Sequence, residues 1–566
     1  MHDDLGSGGL GPAGVRPLFG GRASWHHWSG PGAESWFSGY LLDPQWDGTP
    51  AAEALARRLA GIATEDLPAA LAVMDGRFAF VLRQRGRVVA AVDRVRTVPL
   101  FVAETAGTDV VGPDALGVRG AAGLGPADLD EDAALPLAMS GYTLGSRTLY
   151  RGLRQLRAGE LVVWEGAGAS WRRWYRYEPW SAKASADPTE AAEALASIVR
   201  RACERLAASA GDRPILVPLS AGLDSRLIVS GLREVGFDRV TAFAYGHPGN
   251  HEAATSRQVA ARLGVPWFFM PVTHRDMARR YAAPEFEAFL DFADTCAGTP
   301  MLQEYGVAAA LREAGWADRG ALLVNGQTGD FISGGHAPVS LALRDGDPGP
   351  GPRRAALLQA LVAKHYSLWQ ALRTPDRLER LGHLLLDDLD TGLPDPMDLP
   401  ASLDWSLFEH SEWQNRQSQY VVSGQRTYEH FGFGWRLPLW DAELMDFFQA
   451  LPVELKLGQR LWKDTLQRCN WGGVWRDLPV RTYVSPRWVR VVRPVLKGAV
   501  GVAGRQAWHA VDHRLFAYWM EMHGQIALVS YRTARRDQRG WRHAVSYVTE
   551  HYLARHGLDW TGTVRR

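Results

Sequence analysis

The sequence predicts an α/β protein in which a mainly antiparallel, β-rich N-terminal region precedes a parallel sheet with crossover helices. Short apolar runs in the first 180 residues come in pairs separated by turn residues, which is typical of hairpins. Between residues 215 and 270 apolar runs alternate with helical segments, which is typical of a parallel sheet. A chain of 566 residues is long enough for about two to four domains.

Two hairpins are predicted in the N-terminal region. The runs 78–82 and 87–93 are separated by a turn that ends at Gly86, and the runs 161–164 and 170–172 by a Gly-containing turn. Residues 51–61 carry helical periodicity. We expect a mixed, mainly antiparallel domain over residues 1–180.

The predicted parallel sheet follows a break near Pro179. Residues 188–208 are Ala-rich and lack internal Gly and Pro, which indicates a helix. The predicted strands are 215–219, 240–245, 267–270 and 322–325, and helices are expected at 225–235 and 252–263. Helical patterns dominate from about residue 352 to 475.

Composition excludes several classes of protein. With 46% hydrophobic and 22% charged residues, the chain is not predominantly disordered. A net charge of +1 argues against a general nucleic-acid binder, so no nucleic-acid partner is expected. Cys203, Cys296 and Cys469 are an odd, sparse set that gives neither a disulfide framework nor a CxxC metal pair, which favours a reducing compartment. Neither a signal peptide nor a membrane-spanning run is found, so a cytoplasmic location is expected.

A loop of small and hydroxyl-bearing residues follows the strand 215–219 and opens a helix. Free N–H groups and the helix dipole favour a phosphate at such a place. A carboxylate beside a phosphate needs a cation between them, and Mg²⁺ binds both kinds of oxygen. The alternative is a plain strand–helix turn with a cap at Asp224 or Ser225. The loop consists of Ser220, Ala221, Gly222, Leu223, Asp224 and Ser225, followed by Arg226.

A second Gly-rich cluster follows the strand 322–325. Ligands of open parallel sheets bind beyond the carboxyl ends of the strands, where both clusters lie. We therefore expect Asp224 and Asp330 to hold Mg²⁺ on the phosphates of a nucleotide. The alternative is a simple connecting loop. The cluster contains Gly326, Gln327, Asp330, Gly334, Gly335 and His336.

These clusters resemble the signatures of the asparagine synthetase superfamily. The first matches its Ser-Gly-Gly-Leu-Asp-Ser loop except at Ala221. The second resembles Gly-Glu-Gly-Ser-Asp-Glu with a following Gly-Gly pair, and residues 438–463 resemble a third stretch that ends in a Lys-containing helix. Residues 75–80, 93–101 and 148–160 resemble the glutaminase-like domain, so the resemblance runs from about residue 25 to 475.

The resemblance implies three regions. These are an Ntn-hydrolase-like, glutaminase-type α+β sandwich over residues 1–180, an ATP-pyrophosphatase-type synthetase domain over 188–475, and a basic helical extension over 481–566. It also implies the chemistry: ATP activates a substrate carboxylate as an acyl-adenylate with release of pyrophosphate, and an amine then forms an amide and AMP.

Residue roles follow from the same resemblance. Asp224 and Asp330 are the implied Mg²⁺ ligands. Lys463 is the implied active-site lysine that stabilises the adenylate-forming transition state; its alternative is a solvated helix lysine. The implied ATP-binding residues are Ser220, Ala221, Gly222, Leu223, Asp224, Ser225, Gly326 and Gln327.

Three departures from the family pattern matter. His2 follows Met1 and no Cys precedes Cys203, so the thiolate for glutamine hydrolysis is missing and the N-terminal domain is expected to be structural. Gln327 replaces a Glu and cannot act as a general base. Arg226 replaces a small residue; it can add a cation near phosphate or carboxylate, or simply cap a surface.

The substrate remains open between several readings. Residues 245–250 and 326–330, with the aromatic residues 516–519, look most like the superfamily members of polysaccharide biosynthesis, whose implied substrate is a uronic acid or another glycan precursor. A β-lactam synthetase or lasso-peptide cyclase is the alternative, because these also dispense with the N-terminal Cys. A catalytically silent scaffold is the third reading, and the amine or ammonia donor stays open.

The C-terminal tail is basic. Residues 481–566 contain 15 Lys or Arg and 5 Asp or Glu, with the densest stretch at 532–539. The tail is either a solvated helical surface or a dock for an anionic sugar nucleotide, a glycan lipid, a membrane surface or a protein.

Overall fold

The computed structural model describes residues 14–19, 24–42, 51–84, 86–105, 107–166, 168–183, 185–480 and 487–564. His2 and Arg481, which entered the sequence argument, lie outside these residues. The strands are β1 (Val15–Pro17), β2 (Trp25–Gly30), β3 (Ala33–Leu41), β4 (Gly76–Gln84), β5 (Arg87–Val92), β6 (Phe101–Ala103), β7 (Asp109–Gly112), β8 (Leu153–Gln155), β9 (Glu160–Glu165), β10 (Gly168–Arg173), β11 (Ile215–Pro218), β12 (Val240–Gly246), β13 (Trp267–Pro271), β14 (Leu322–Val324) and β15 (Gly434–Arg436).

Helices dominate the remainder of the described chain. They are α1 (Ala51–Leu59), α2 (Leu67–Ala72), α3 (Ala115–Ala121), α4 (Glu131–Ser140), α5 (Pro188–Ala210), α6 (Asp224–Glu234), α7 (His251–Arg262), α8 (His274–Tyr281), α9 (Pro284–Ala293), α10 (Tyr305–Glu313), α11 (Val339–Ala342), α12 (Pro350–Lys364), α13 (Pro375–Asp387), α14 (Asp404–Ser411), α15 (Gln425–His430), α16 (Ala442–Gln449), α17 (Val453–Lys456), α18 (Arg460–Cys469), α19 (Arg487–Val500), α20 (Arg505–Met520), α21 (Tyr531–Arg536) and α22 (Val545–Arg555). A π-helical stretch, Glu412–Val421, continues α14.

Two sheets form the N-terminal region. The larger has the order β10-β9-β5-β4-β3-β2 and is antiparallel throughout, which confirms both predicted hairpins. The smaller has the order β1-β7-β6-β8, and its β1–β7 pair is parallel, which was not predicted. Side chains alternate across β4: Phe80 packs towards α1, whereas Val81 joins the central core. The larger sheet is therefore covered on both faces.

The third sheet is parallel, as predicted, with the order β13-β12-β11-β14-β15. The central strand β11 is an unbroken apolar run buried on both sides, which is typical of parallel strands. The predicted helices are confirmed as α5, α6 and α7. The edge strand β15 was not predicted, because its three residues lack a long apolar run. The carboxyl ends of β11, β12 and β14 face the same edge, where both Gly-rich loops begin.

The C-terminal helices pack against the rest of the protein. The ring of Tyr518 in α20 stacks on His274 with centroids 5.0 Å apart, and the Tyr552 hydroxyl in α22 donates to Asp294 at 2.7 Å. Arg539, in the most basic stretch, forms ion pairs with Asp537 and Glu550. The tail is thus partly integrated into the fold. No helix within the described ranges is long and apolar enough to cross a membrane.

Candidate active site

The first loop leaves β11 and is closed by its own hydroxyl groups. The Ser220 backbone N–H donates to the Ser225 hydroxyl at 3.1 Å, and the Gly222 N–H donates to the Ser220 hydroxyl at 3.0 Å. Ser225 is buried, whereas Ser220, Gly222 and Leu223 are partly exposed beside it. Asp224 begins α6 directly after these residues. The loop is therefore a compact strand-to-helix turn whose polar groups face the end of the sheet.

Arg226 does not supply a cation to this surface. Its fully buried guanidinium donates to the backbone carbonyls of Ala221 (3.0 Å), Val474 (3.0 Å), Leu478 (3.3 Å) and Pro479 (2.7 Å). Neither sequence-based alternative, a phosphate ligand or a surface cap, describes this position. Arg226 instead ties the back of the loop to the segment that follows α18.

The second loop approaches Asp224 so closely that glycine is required. A Cβ on Gly326 would lie 2.7 Å from the Asp224 Cβ, and one on Gly329 would overlap the Asp224 carboxylate. Between them, buried Thr328 has a φ of 85°, a left-handed conformation that is costly for a β-branched residue. A strained backbone therefore holds this loop against the first one.

Asp224 and Asp330 meet where the loops touch, as the sequence predicts. The Asp330 N–H donates to Asp224 Oδ2 at 3.0 Å. Asp224 Oδ1 is buried and has no hydrogen-bond partner among the described residues. Burial and the nearby Asp330 carboxylate raise the pKa of Asp224 to about 8. A buried, unpartnered carboxylate oxygen beside a second carboxylate fits a hard cation such as Mg²⁺.

Asp330 is supported by a chain of hydrogen-bonded, charged side chains. His336 donates to Asp330 Oδ2 at 3.1 Å and, through its other ring nitrogen, to Glu412 Oε1 at 2.5 Å. Burial lowers the pKa of His336, but the carboxylates of Glu412 and Asp330 outweigh it and raise that pKa to about 9. Burial raises the pKa of Asp330, yet the contact with His336 lowers it overall. Glu412 is fully buried and also contacts His365 and Arg416.

Within the described part of the chain, two cavities flank the first loop. The cavity of about 610 Å³ is lined by residues that include Asp224, Asp330 and Lys463. The Lys463 ammonium is exposed and donates to the Gly458 carbonyl at 2.7 Å. Lys463 therefore lies on the same cavity as both carboxylates. The neighbouring cavity, about 400 Å³, is lined by Ser220, Ser225, Gly326 and Gln327.

The smaller cavity also contains an acidic group that the sequence did not reveal. Glu304 is partly buried, and it accepts hydrogen bonds from the hydroxyls of Tyr428 and, at 3.4 Å, Tyr245. Burial raises the pKa of Glu304. Met522 and His523, which follow α20 in the basic tail, line the cavity on its other side. The tail thus contributes directly to the site.

Gln327 lies in the smaller cavity but is engaged by another amide. The Gln425 side-chain N–H donates to Gln327 Oε1 at 3.0 Å. Neither amide can take up a proton at neutral pH, in agreement with the sequence argument about position 327.

A comparison with protein-family models matches part of the chain. Residues 194–470 match the family model described as asparagine synthase. The match supports the asparagine synthetase superfamily. The asparagine synthase match covers both loops and Lys463.

Similar solved structures were also found. An allosteric regulatory enzyme of purine biosynthesis is 14% identical, with 43% of this chain and 45% of that chain covered and a TM-score of 0.19. The glutamine phosphoribosylpyrophosphate amidotransferase from B. subtilis, complexed with ADP and GMP, is 12% identical, with 55% and 64% covered and a TM-score of 0.19. The chain thus spans less than two thirds of either protein. No curated protein sequence matches the chain.

Several site residues were missed from the sequence. His336 stood in the quoted Gly-rich cluster, but nothing nearby indicated its partner Glu412, which lies 76 positions later. The available signal was the stretch 412–419, which is polar at every position except Trp413. Buried polar runs in π-helical segments often mark functional sites.

Proposed function

We propose that the protein is an ATP-dependent carbon–nitrogen ligase that adenylates a carboxylate and passes the acyl group to an amine. The observation that carries this proposal is the buried, unpartnered Asp224 oxygen beside Asp330 at the ends of β11 and β14. A nucleoside triphosphate with its bound cation would supply a partner for that oxygen. The asparagine synthase match supports the same chemistry.

In the first step, a carboxylate oxygen of the substrate attacks the α-phosphorus of ATP and the bond to the β-phosphate oxygen breaks. The loop 220–225 holds the phosphates with its N–H and hydroxyl groups. Asp224 and Asp330 would hold Mg²⁺, which offsets the repulsion between carboxylate and triphosphate. Lys463, which lines the larger cavity, stabilises the negative charge of the departing pyrophosphate.

In the second step an amine attacks the acyl carbon, and AMP leaves with the bonding electron pair. The amine must lose a proton, and Gln327 cannot accept it. Glu304 lines the same cavity as Gln327, and its raised pKa brings it closer to neutrality. We assign proton removal to Glu304.

The proposal extends to substrate and domains. The motif resemblance supports a uronic acid or another glycan precursor as the carboxylate. Residues 1–180 act as a glutaminase-like scaffold, 188–475 as the synthetase domain and 481–566 as the extension. No cysteine lies within residues 1–180, and burial raises the pKa of the nearest thiol, Cys203, to about 12. Added glutamine should therefore yield no glutamate.

The test is ATP–pyrophosphate exchange by the purified protein in the presence of Mg²⁺. Separate pools contain aspartate, uronic acids with their sugar nucleotides, and acidic peptides. We expect exchange with the uronic-acid pool. Exchange with the peptide pool alone would replace the glycan substrate by a peptide, and Mg·ATP binding without exchange in any pool would favour a silent scaffold.

A further inference from the structure

The helix α19 carries a largely exposed apolar stripe on its outer face, although the Trp488 ring also contacts Phe516 and Trp519 of α20. Trp488 is 44% exposed, Val491 and Val495 are each 70% exposed, and Val492 is 40% exposed. Their spacing of three, four and seven positions from Trp488 places all of them on one helical face. Contiguous exposed apolar side chains of this kind are typical of interaction sites.

The stripe is separate from the side of α19 that packs against the protein. The opposite side of α19 already packs on α20, where Val489, Trp508 and Phe516 form a small buried cluster. Arg493 on that side is paired with Asp512 at 2.6 Å. α19 is therefore anchored through one face and presents a second apolar face outward.

The sequence around the stripe is predominantly basic, although Asp512 neutralises Arg493. Residues 478–511 contain six Lys or Arg and no Asp or Glu. A second copy docking on the same face would bring like charges together, which disfavours a dimer through α19. An anionic bilayer surface, by contrast, accepts the apolar stripe at its acyl boundary and attracts the surrounding cations.

We propose that α19 binds the surface of membranes that contain anionic lipids. The side chains of Trp488, Val491, Val492 and Val495 enter the interface, and the exposed Lys497, on the opposite face of the helix, adds positive charge that attracts the anionic surface. The helix lies along the surface and does not span the bilayer. This inference stands independently of the proposed ligase activity, because it uses no residue of the site.

The test is flotation of the full chain with vesicles of equimolar phosphatidylserine and phosphatidylcholine, compared with vesicles of phosphatidylcholine alone. We expect binding to the anionic vesicles that weakens as salt is raised. The double variant Val491→Asp with Val495→Asp should reduce binding by at least about tenfold, because two apolar contacts are replaced by repelled charges. Val339→Asp, at a position that is 60% exposed elsewhere, should bind as the unmodified chain does.

Thermal melting of all variants controls for folding, since the substituted side chains are exposed. Absence of binding to anionic vesicles by the unmodified chain would overturn the proposal. So would equal binding by the double variant, or equal binding to both vesicle types. If sedimentation shows a dimer that the double variant dissolves, the occupant of α19 is a second copy and the membrane proposal is wrong.

Discussion

The two loops that meet at Asp224 and Asp330 are supported in opposite ways. The loop at 220–225 closes on itself through Ser220 and Ser225, with Arg226 as its anchor. The loop at 326–336 depends on remote side chains: Gln425 holds Gln327, and Glu412 holds His336. The first loop is thus set by neighbouring residues, whereas the second is set by the helices that follow it. We therefore expect that removing a remote contact, such as the one between Glu412 and His336, will disturb the second loop and weaken binding at the site.

The largest effect is expected at the point where the loops join. Asp224→Asn keeps the shape and the hydrogen bond from Asp330 but removes the charge that a cation needs. ATP–pyrophosphate exchange should fall by about a thousandfold. Asp212→Asn, at a fully exposed carboxylate, is the matched control and should change nothing. Exchange within a few-fold of normal in Asp224→Asn would refute the site assignment.

The remote support can be removed without touching the second loop. Glu412→Gln takes the buried charge away from His336, so Asp330 loses its orientation. We expect a loss of about a hundredfold in exchange and of about 3 kcal/mol in the free energy of unfolding, because the partly buried cations His336 and Arg416 lose the buried charge that faces them. Exposed Glu379→Gln serves as the control. Normal Mg²⁺ affinity in Glu412→Gln would show that Glu412 does not help to position Asp330.

The pH dependence of Mg²⁺ affinity distinguishes the carboxylates of the two loops. The pKa of Asp224 is raised to about 8, so this group carries a proton at neutral pH, while the pKa of Asp330 is lowered and that group is ionised. Mg²⁺ must displace the Asp224 proton. Mg²⁺ affinity should therefore rise about tenfold per pH unit below pH 8 and level off above it. Calorimetry in buffers of different ionisation enthalpy would detect the released proton; its absence would contradict the raised pKa.

The smallest effect concerns strain in the second loop. Thr328→Gly removes the cost of a left-handed β-branched residue but also removes a 3.3 Å hydrogen bond from Thr328 to Gln417. Relief of strain should dominate and stabilise the fold by about 1 kcal/mol, measured by thermal melting. Looser geometry should at the same time weaken Mg·ATP binding slightly. A destabilised variant would show that the hydrogen bond outweighs the strain.

The sequence predicted the parts of the site that depend on local order. A contiguous sequence pattern predicted β11, the turn at Ser220 and the start of α6. The juxtaposition of Asp224 with Asp330 was predicted because both follow the ends of parallel strands. The direction of Arg226 could not be predicted, because its partners lie about 250 residues later. The contact of Glu412 with His336 and the position of His523 in the smaller cavity likewise depend on how distant helices pack, which no local pattern encodes.

The wall that Met522 and His523 give to the smaller cavity has a consequence for synthesis. The ribosome makes both loops and Lys463 long before it makes residue 523, so a growing chain contains these candidate site residues before the wall of the smaller cavity is complete. Domains fold from the N-terminus as they emerge. The parallel sheet can therefore form during translation, whereas the wall formed by residues 522 and 523 is added only near its end.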